Sequence, residues 1–386
     1  MKRVAILTAS YGEGHNAAAR GLAAAFDAQG GQGTARVLDP LAALSPRRDR
    51  LARSAYYWTI NRLPKVWSSF YTWLDRAKPL PGRLSLLKKE MRWLENFLRD
   101  ETPLAVCSTY PIFAYILEHL AREQGLRVPF YNVVTDSISI NSMWWLAGCD
   151  GWFLPNEESA KLLREAGCPP ERLHVSGFPV APVFADPARR LSADPIRPGV
   201  RPQVLFIITS GSRHAIETAT LLLDETDWAL TFAVGRDARL RRDIVTAAEG
   251  RLAPCKVLGW TDRIPELLMT HHAVISKAGG ATTQEAIAAH CPMIVNQVLP
   301  GQEEGNYELL RRHNIGARAD TPECVVRTLR QAFAEDGRIW HEWHARISAL
   351  ARPAAAMDIA QFVLRRHGLD AASASLTVDP WIPRHG

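Results

Sequence analysis

The sequence predicts an α/β protein of two domains, each a parallel sheet with helices on both faces. Three observations carry this. The chain has 386 residues, too many for one ordinary domain and suited to two of roughly 150–200 residues. Short apolar runs alternate with helical stretches in both halves, the pattern of buried parallel strands and crossover helices. Between the halves lies a stretch with Pro187, Pro195, Pro198 and Pro202, several arginines and little apolar periodicity, the composition of a linker. The expected plan is a domain over 1–185, a linker over 186–202, a second domain over 203–350, and a C-terminal helix and tail over 351–386. Two such sheets, facing across a cleft, offer their carboxyl ends to a ligand.

Val4–Thr8 reads as the first strand, because a brief apolar run meets polar residues at once instead of continuing as a signal segment. An Ala-rich helix over Asn16–Ala28 and a strand over Ala35–Asp39 follow. Strands are expected at Leu104–Ser108, Phe130–Val134 and Gly151–Leu154, with helices over Phe113–Glu123 and Glu157–Ala166. In the second half strands are expected at Val204–Thr209, Ala229–Val234, Lys256–Leu258, Ala273–Ser276 and Met293–Asn296, with helices from about His214 and over Ala238–Glu249. Gly368–Gly386 is polar and reads as a tail.

Apolar residues make up 47% and charged residues 22% of the chain, the balance of a globular protein. No run of about 18 uncharged apolar residues occurs, so no transmembrane helix is expected. Six scattered cysteines without a CxxC pair argue for a reducing cytoplasm and against a structural metal. Charge is concentrated. Pro46–Arg99 holds 13 Lys/Arg against 4 Asp/Glu, although the whole chain is only +6. Trp58, Trp67, Trp73, Trp93 and Phe97 are among nine aromatics in the same stretch. Basic residues interleaved with Trp and Tyr suit an anionic membrane surface; the competing reading is a helical insertion with an aromatic core and a solvated face. No recognisable nucleic-acid module accompanies the patch, so nucleic acid ranks last as a partner.

The sharpest motif is Ile275-Ser276-Lys277-Ala278-Gly279-Gly280-Ala281-Thr282-Thr283-Gln284-Glu285. A strand ends, two glycines permit close approach, and a helix begins, so free N–H groups and a helix dipole suit a diphosphate. Glu285, about one turn in, is placed to accept from ribose hydroxyls; the plainer reading is an ordinary strand–turn–helix junction. Pro300 to Asn306 follows the next strand. There Gln302 and Asn306, four apart, share a face, and carboxamides both donate to and accept from sugar hydroxyls. Upstream, Gly259-Trp260-Thr261-Asp262 offers an aromatic wall to a base. Near the N-terminus, Gly12 and Gly14 turn the chain from strand to helix and deliver His15 at the helix start. Histidine has the right ordinary pKa for general-base work; a helix residue bonded to backbone is the alternative.

These blocks resemble the family-28 glycosyltransferases, a group with the GT-B fold of two Rossmann-like domains. Thr8-Ala9-Ser10-Tyr11-Gly12-Glu13-Gly14-His15 looks like the loop of its glycolipid synthases. So does the succession Thr135-Asp136, Trp144-Trp145, Asp150, Glu157 and Gly177-Phe178-Pro179. The resemblance, spanning most of residues 3–315, implies an inverting, membrane-peripheral hexosyltransferase that moves sugar from a UDP-sugar to diacylglycerol on the inner face of the cell membrane. It implies no metal and no cofactor beyond the donor. It makes His15 the base, with Asp136 either its assistant or a structural carboxylate. It places Trp260 and Thr261 at uracil, Glu285 at ribose, and Gly279, Gly280 and Thr282 near the diphosphate, with Gln302, Glu303 and Asn306 at the sugar. Gly12, Gly14, Ser210, Gly211 and Ser212 are further donor contacts, the last three from a turn with one glycine where relatives often have more. Trp58, Trp67, Trp73, Trp144 and Trp145 are expected to meet membrane or acceptor.

One departure concerns the acceptor. The glycolipid synthases usually carry a histidine shortly after the Thr-Asp pair, where this chain offers Asn141. The rivals are a muramyl-lipid N-acetylglucosaminyltransferase, a UDP-sugar 2-epimerase and a UDP-sugar sensor without turnover.

Overall fold

The structure is a computed structural model and describes residues 3–44, 46–47, 87–189, 191–209, 212, 214–299 and 302–368. It divides into two compact units, Met1–Pro182 with Pro353–Gly386, and Val183–Arg352.

The first unit is a six-stranded, all-parallel sheet in the order β2-β1-β3-β4-β5-β6. Its strands are β1 (Val4–Leu7), β2 (Ala35–Leu38), β3 (Ala105–Ser108), β4 (Phe130–Val133), β5 (Gly151–Leu154) and β6 (Leu173–Val175). β1, β3, β4 and β5 are buried at every residue, as their mainly apolar runs require when helices cover both faces. Helix α1 (Glu13–Gly30) buries His15, Ala18, Ala19, Leu22, Ala25 and Phe26, one stripe at helical spacing. Leu22 and Phe26 are fully buried and stabilise the unit by about 1.5–3 kcal/mol each. Gly21 lies on the same helix because a Cβ there would stand 2.3 Å from the Pro179 carbonyl oxygen. Helices α2 (Pro40–Leu44), α3 (Lys88–Glu101), α4 (Ile112–Gln124) and α5 (Glu157–Glu165) complete the first part of the chain.

The second unit repeats the plan in the order β12-β11-β10-β7-β8-β9, again all parallel. Its strands are β7 (Gln203–Ile207), β8 (Ala229–Ala233), β9 (Cys255–Leu258), β10 (Ala273–Lys277), β11 (Met293–Gln297) and β12 (Gly316–Arg318). The helices are α6 (Ala215–Glu225), α7 (Ala238–Ala247), α8 (Ile264–Thr270), α9 (Gly280–Ala288), α10 (Gln302–His313) and α11 (Pro322–Leu350). The chain then returns to the first unit as α12 (Ala355–His367), which packs along α1. There Gln29 Nε2 donates to the Met357 carbonyl at 2.7 Å.

Pro322–His367 is long and apolar enough by composition to cross a membrane. It is not one helix. The φ/ψ angles are non-helical from Ala334 to Gly337, and α11 ends at Leu350 before α12 starts at Ala355. The helical pieces are each shorter than the roughly 20 residues a span requires.

The central part of the basic, aromatic stretch, with Trp58, Trp67 and Trp73, lies outside the described residues. Its last part is α3, where Trp93 and Phe97 stack at 5.4 Å and pack against the core. These two rings are half-buried against the core.

Candidate active site

Sheet order sets where a site forms. In the first unit β2 lies on one side of β1 and β3 on the other, so chains leaving β1 and β3 diverge and open a crevice at their carboxyl ends. β1 leads into the glycine loop and His15. β3 leads to Thr109-Tyr110, and its neighbour β4 to Thr135-Asp136.

The glycine loop is fixed from outside itself. Asp39, just past β2, accepts from the Ser10 backbone N–H at 3.1 Å and its hydroxyl at 2.8 Å. Asn16 Nδ2 donates to Ser10 Oγ at 3.2 Å. Gly12 occupies the N-cap of α1 and Gly14 lies in its first turn.

His15 is 5% exposed. Its Nδ1 lies 2.8 Å from the Thr109 carbonyl oxygen and 2.8 Å from Thr135 Oγ1. A carbonyl only accepts, so Nδ1 carries the proton and Nε2 the lone pair. Thr109 Oγ1 also donates to the His15 carbonyl at 3.1 Å, and the Tyr110 ring stands edge-on to the imidazole at 5.0 Å. Burial pushes the His15 pKa below the ordinary histidine value, against the opposing pull of the Asp136 charge and the Thr109 carbonyl. Burial likewise raises the Asp136 carboxyl, opposed by His15, by the Trp144 indole and by the Asn141 backbone N–H. The imidazole is therefore neutral near pH 7 with a basic Nε2, beside a carboxylate able to stabilise the imidazolium once formed.

Trp144 corrects an expectation. It is 1% exposed, and its Nε1 donates to Asp136 Oδ2 at 2.8 Å. Trp145 is half-buried against the same core. Trp144 therefore presents no face to a membrane. Asn141 Oδ1 accepts from the Met143 N–H at 3.0 Å and so caps the 3-10 turn Ser142–Trp144; its buried Nδ2 has no hydrogen-bond partner among the described residues.

In the second unit the strand order reverses at β7 and β10, and the loops after these strands flank the corresponding crevice. After β7, the Ser212 N–H donates to the Thr209 carbonyl at 3.1 Å; Ser210 and Gly211 lie outside the described residues. After β10 come Gly279, the N-cap of α9, and Gly280, its first residue, with Thr282 in the first turn and Glu285 beyond it. Gly279 has φ −69° and ψ 139°, open to any residue. A Cβ at 279 or 280 would meet only ordinary contacts at 3.7 Å. Neither conformation nor internal packing demands these glycines, so they leave the helix end clear for an outside group.

Two expected sugar contacts are otherwise employed. Glu303 Oε1 accepts from Lys277 Nζ at 2.7 Å and Oε2 from the Leu299 N–H at 2.8 Å. Asn306 is 4% exposed and its Nδ2 donates to the Ala278 carbonyl at 3.0 Å. Both fix the loops around Gly279–Gly280, because the face of α10 that carries them packs inward. Gln302 begins α10. Trp260 is 67% exposed, with the Arg236 guanidinium 5.9 Å from its ring centroid; Thr261 Oγ1 accepts from the Arg263 N–H at 3.1 Å.

Sequence reasoning missed Asp39, Thr109, Tyr110 and Lys277. An acid or cation that directly ends an apolar run was the available signal for Asp39 and Lys277. The Thr109 carbonyl left none.

Two parallel-sheet units with loop sites at their strand-order reversals define the GT-B fold class. Solved structures agree: MurG of Acinetobacter baumannii superposes with a TM-score of 0.61 at 14% identity over 95% of this chain and 100% of that one. A UDP-GlcNAc 2-epimerase from Neisseria meningitidis, solved with UDP-GlcNAc, gives 0.60 at 13% over 95% and 100%. Within this class, residues 15–180 match the family model described as monogalactosyldiacylglycerol (MGDG) synthase. A processive diacylglycerol beta-glucosyltransferase of Bacillus thuringiensis is 24% identical over 384 residues, 95% of each chain, and its namesake in Bacillus anthracis matches equally. Over nearly its whole length the chain is thus similar to diacylglycerol glycosyltransferases, and it has their GT-B fold class.

Proposed function

We propose that the protein transfers a hexose, with inversion, from a UDP-sugar to the hydroxyl of diacylglycerol. The observation that carries this is the fixed tautomer of His15. With Nδ1–H committed to the Thr109 carbonyl, Nε2 is the atom that takes the acceptor's proton as its oxygen attacks the anomeric carbon. The nearby Asp136 charge stabilises the imidazolium so formed. The anomeric C–O bond to UDP breaks, and the departing diphosphate is received by the N–H groups at the amino end of α9. Charge development is met there by backbone donors, and the proposed transfer calls on no metal and no cofactor beyond the donor. Relatives named for diacylglycerol glucosylation, aligned over 95% of both chains, support the acceptor. The excess of 13 Lys/Arg over 4 Asp/Glu in Pro46–Arg99 supports docking at the inner, anionic leaflet of the cell membrane.

UDP release from a panel of UDP-sugars, with and without anionic vesicles containing diacylglycerol, tests the reading. Release that requires the lipid is expected. Epimer or free sugar formed without lipid would instead favour the 2-epimerase reading, which the same fold supports.

A further inference from the structure

The carboxylate beside the proposed base is held by a tryptophan, and that tryptophan is held in turn. Trp144 Nε1 donates to Asp136 Oδ2 at 2.8 Å. The Trp144 carbonyl accepts from Trp152 Nε1 at 2.8 Å and from Asn132 Nδ2 at 3.2 Å. Trp152 and Asn132 are fully buried, in strands β5 and β4. The indole N–H thus reaches a partly buried carboxylate. A buried carboxylate without donors takes a proton instead.

We propose that Trp144 is a positioning residue, whose indole N–H keeps the Asp136 carboxylate oriented and charged beside His15, with Trp152 and Asn132 locking the indole's own backbone. Besides Trp144, Asp136 receives the Asn141 backbone N–H. The titratable groups around it are His15 and Tyr110, and Tyr110 in turn faces Tyr11 and Asp39. Among these Trp144 is the side chain that donates to the charged form without itself titrating. The inference rests on the reading of His15 as the base.

Trp144→Phe keeps the ring and removes the donor. A hydrogen bond to a charged group is worth roughly tenfold in a protonation equilibrium. Asp136 then takes its proton more readily, the imidazolium loses its stabilising charge, and the acid limb of kcat/KM, which His15 sets, moves down by up to about one pH unit. Over the same range the His15 ring, followed by NMR, titrates at lower pH, because its neighbour's charge is lost sooner. Trp152→Phe shifts both in the same senses by less, and it stands as the test if Trp144→Phe does not fold. In an Asp136→Asn background, Trp144→Phe produces no further shift in either. Unchanged profiles in a folded, UDP-binding variant would overturn the proposal, as would an equal shift in the Asp136→Asn background. The ring titration needs no turnover, so a wild-type chain inert toward lipid would sink the functional reading while leaving this test standing.

Discussion

The Thr109 carbonyl accepts the Nδ1–H of His15 at 2.8 Å, a bond between residues 94 apart in sequence that fixes which imidazole nitrogen is basic. The contact exists because β1 and β3 are adjacent parallel strands, Leu7 paired with Ser108, so the residues that follow them meet at one sheet edge.

His15→Gln removes the basic nitrogen while retaining a side chain able to donate to the Thr109 carbonyl. Turnover is expected to fall by about 10²–10⁴-fold. UDP affinity, measured by calorimetry, stays within about twofold of wild type, since the helix end proposed to receive the diphosphate, at Gly279–Gly280, belongs to the other unit.

Burial holds the His15 pKa below its ordinary value, so the neutral base persists as pH falls past the usual histidine range near 6.5. The acid limb of the wild-type pH–rate profile is expected below pH 6.5.

Stability follows a related sign. Burial pushes His271 down to about 4, whereas the unfolded chain's histidine takes its proton near 6.5. Between these values the unfolded state binds more protons, so stability is complete above pH 6.5 and is lost as pH falls toward 4. His271 contributes roughly 3 kcal/mol of that loss. Urea unfolding midpoints between pH 7 and 4.5 measure it, and His271→Asn should flatten the slope.

Gly280→Ala separates folding from binding. A Cβ there meets the Asn306 amide at an ordinary 3.7 Å, and alanine favours a helix over glycine. The melting temperature should stay level or rise, while UDP affinity falls at least tenfold because the diphosphate approach is obstructed. A lower melting temperature with unchanged affinity would count against the diphosphate reading of this helix end.

Glu303→Gln breaks the partly buried pair with Lys277 and weakens the bond that holds Leu299. A loss of about 1–3 kcal/mol is expected, with the donor KM raised more than kcat is lowered.

Much of this was legible in advance. Val4–Leu7 and Ala273–Ile275 announce themselves as uninterrupted apolar runs. The three-residue edge strands Leu173–Val175 and Gly316–Arg318 do not, because they are paired on one side only and lack an apolar run. His15 was readable from its glycine loop, whereas the Thr109 carbonyl has no side-chain signature. Trp144 looked like a surface aromatic because the fold, not the local sequence, turns it inward onto Asp136. Asn306 reads as a sugar contact from residue type and spacing, and Glu303 from the family resemblance, but α10 turns both inward, where they hold the loops around Gly279–Gly280.

Mass spectrometry of the lipid fraction, after incubation with a UDP-hexose and diacylglycerol vesicles, tests the central claim most directly. The account predicts a hexosyl-diacylglycerol of inverted anomeric configuration from the wild type and almost none from a His15→Gln variant that still binds UDP. Equal glycolipid from both proteins, or a free hexose or epimer with no glycolipid from the wild type, would contradict it.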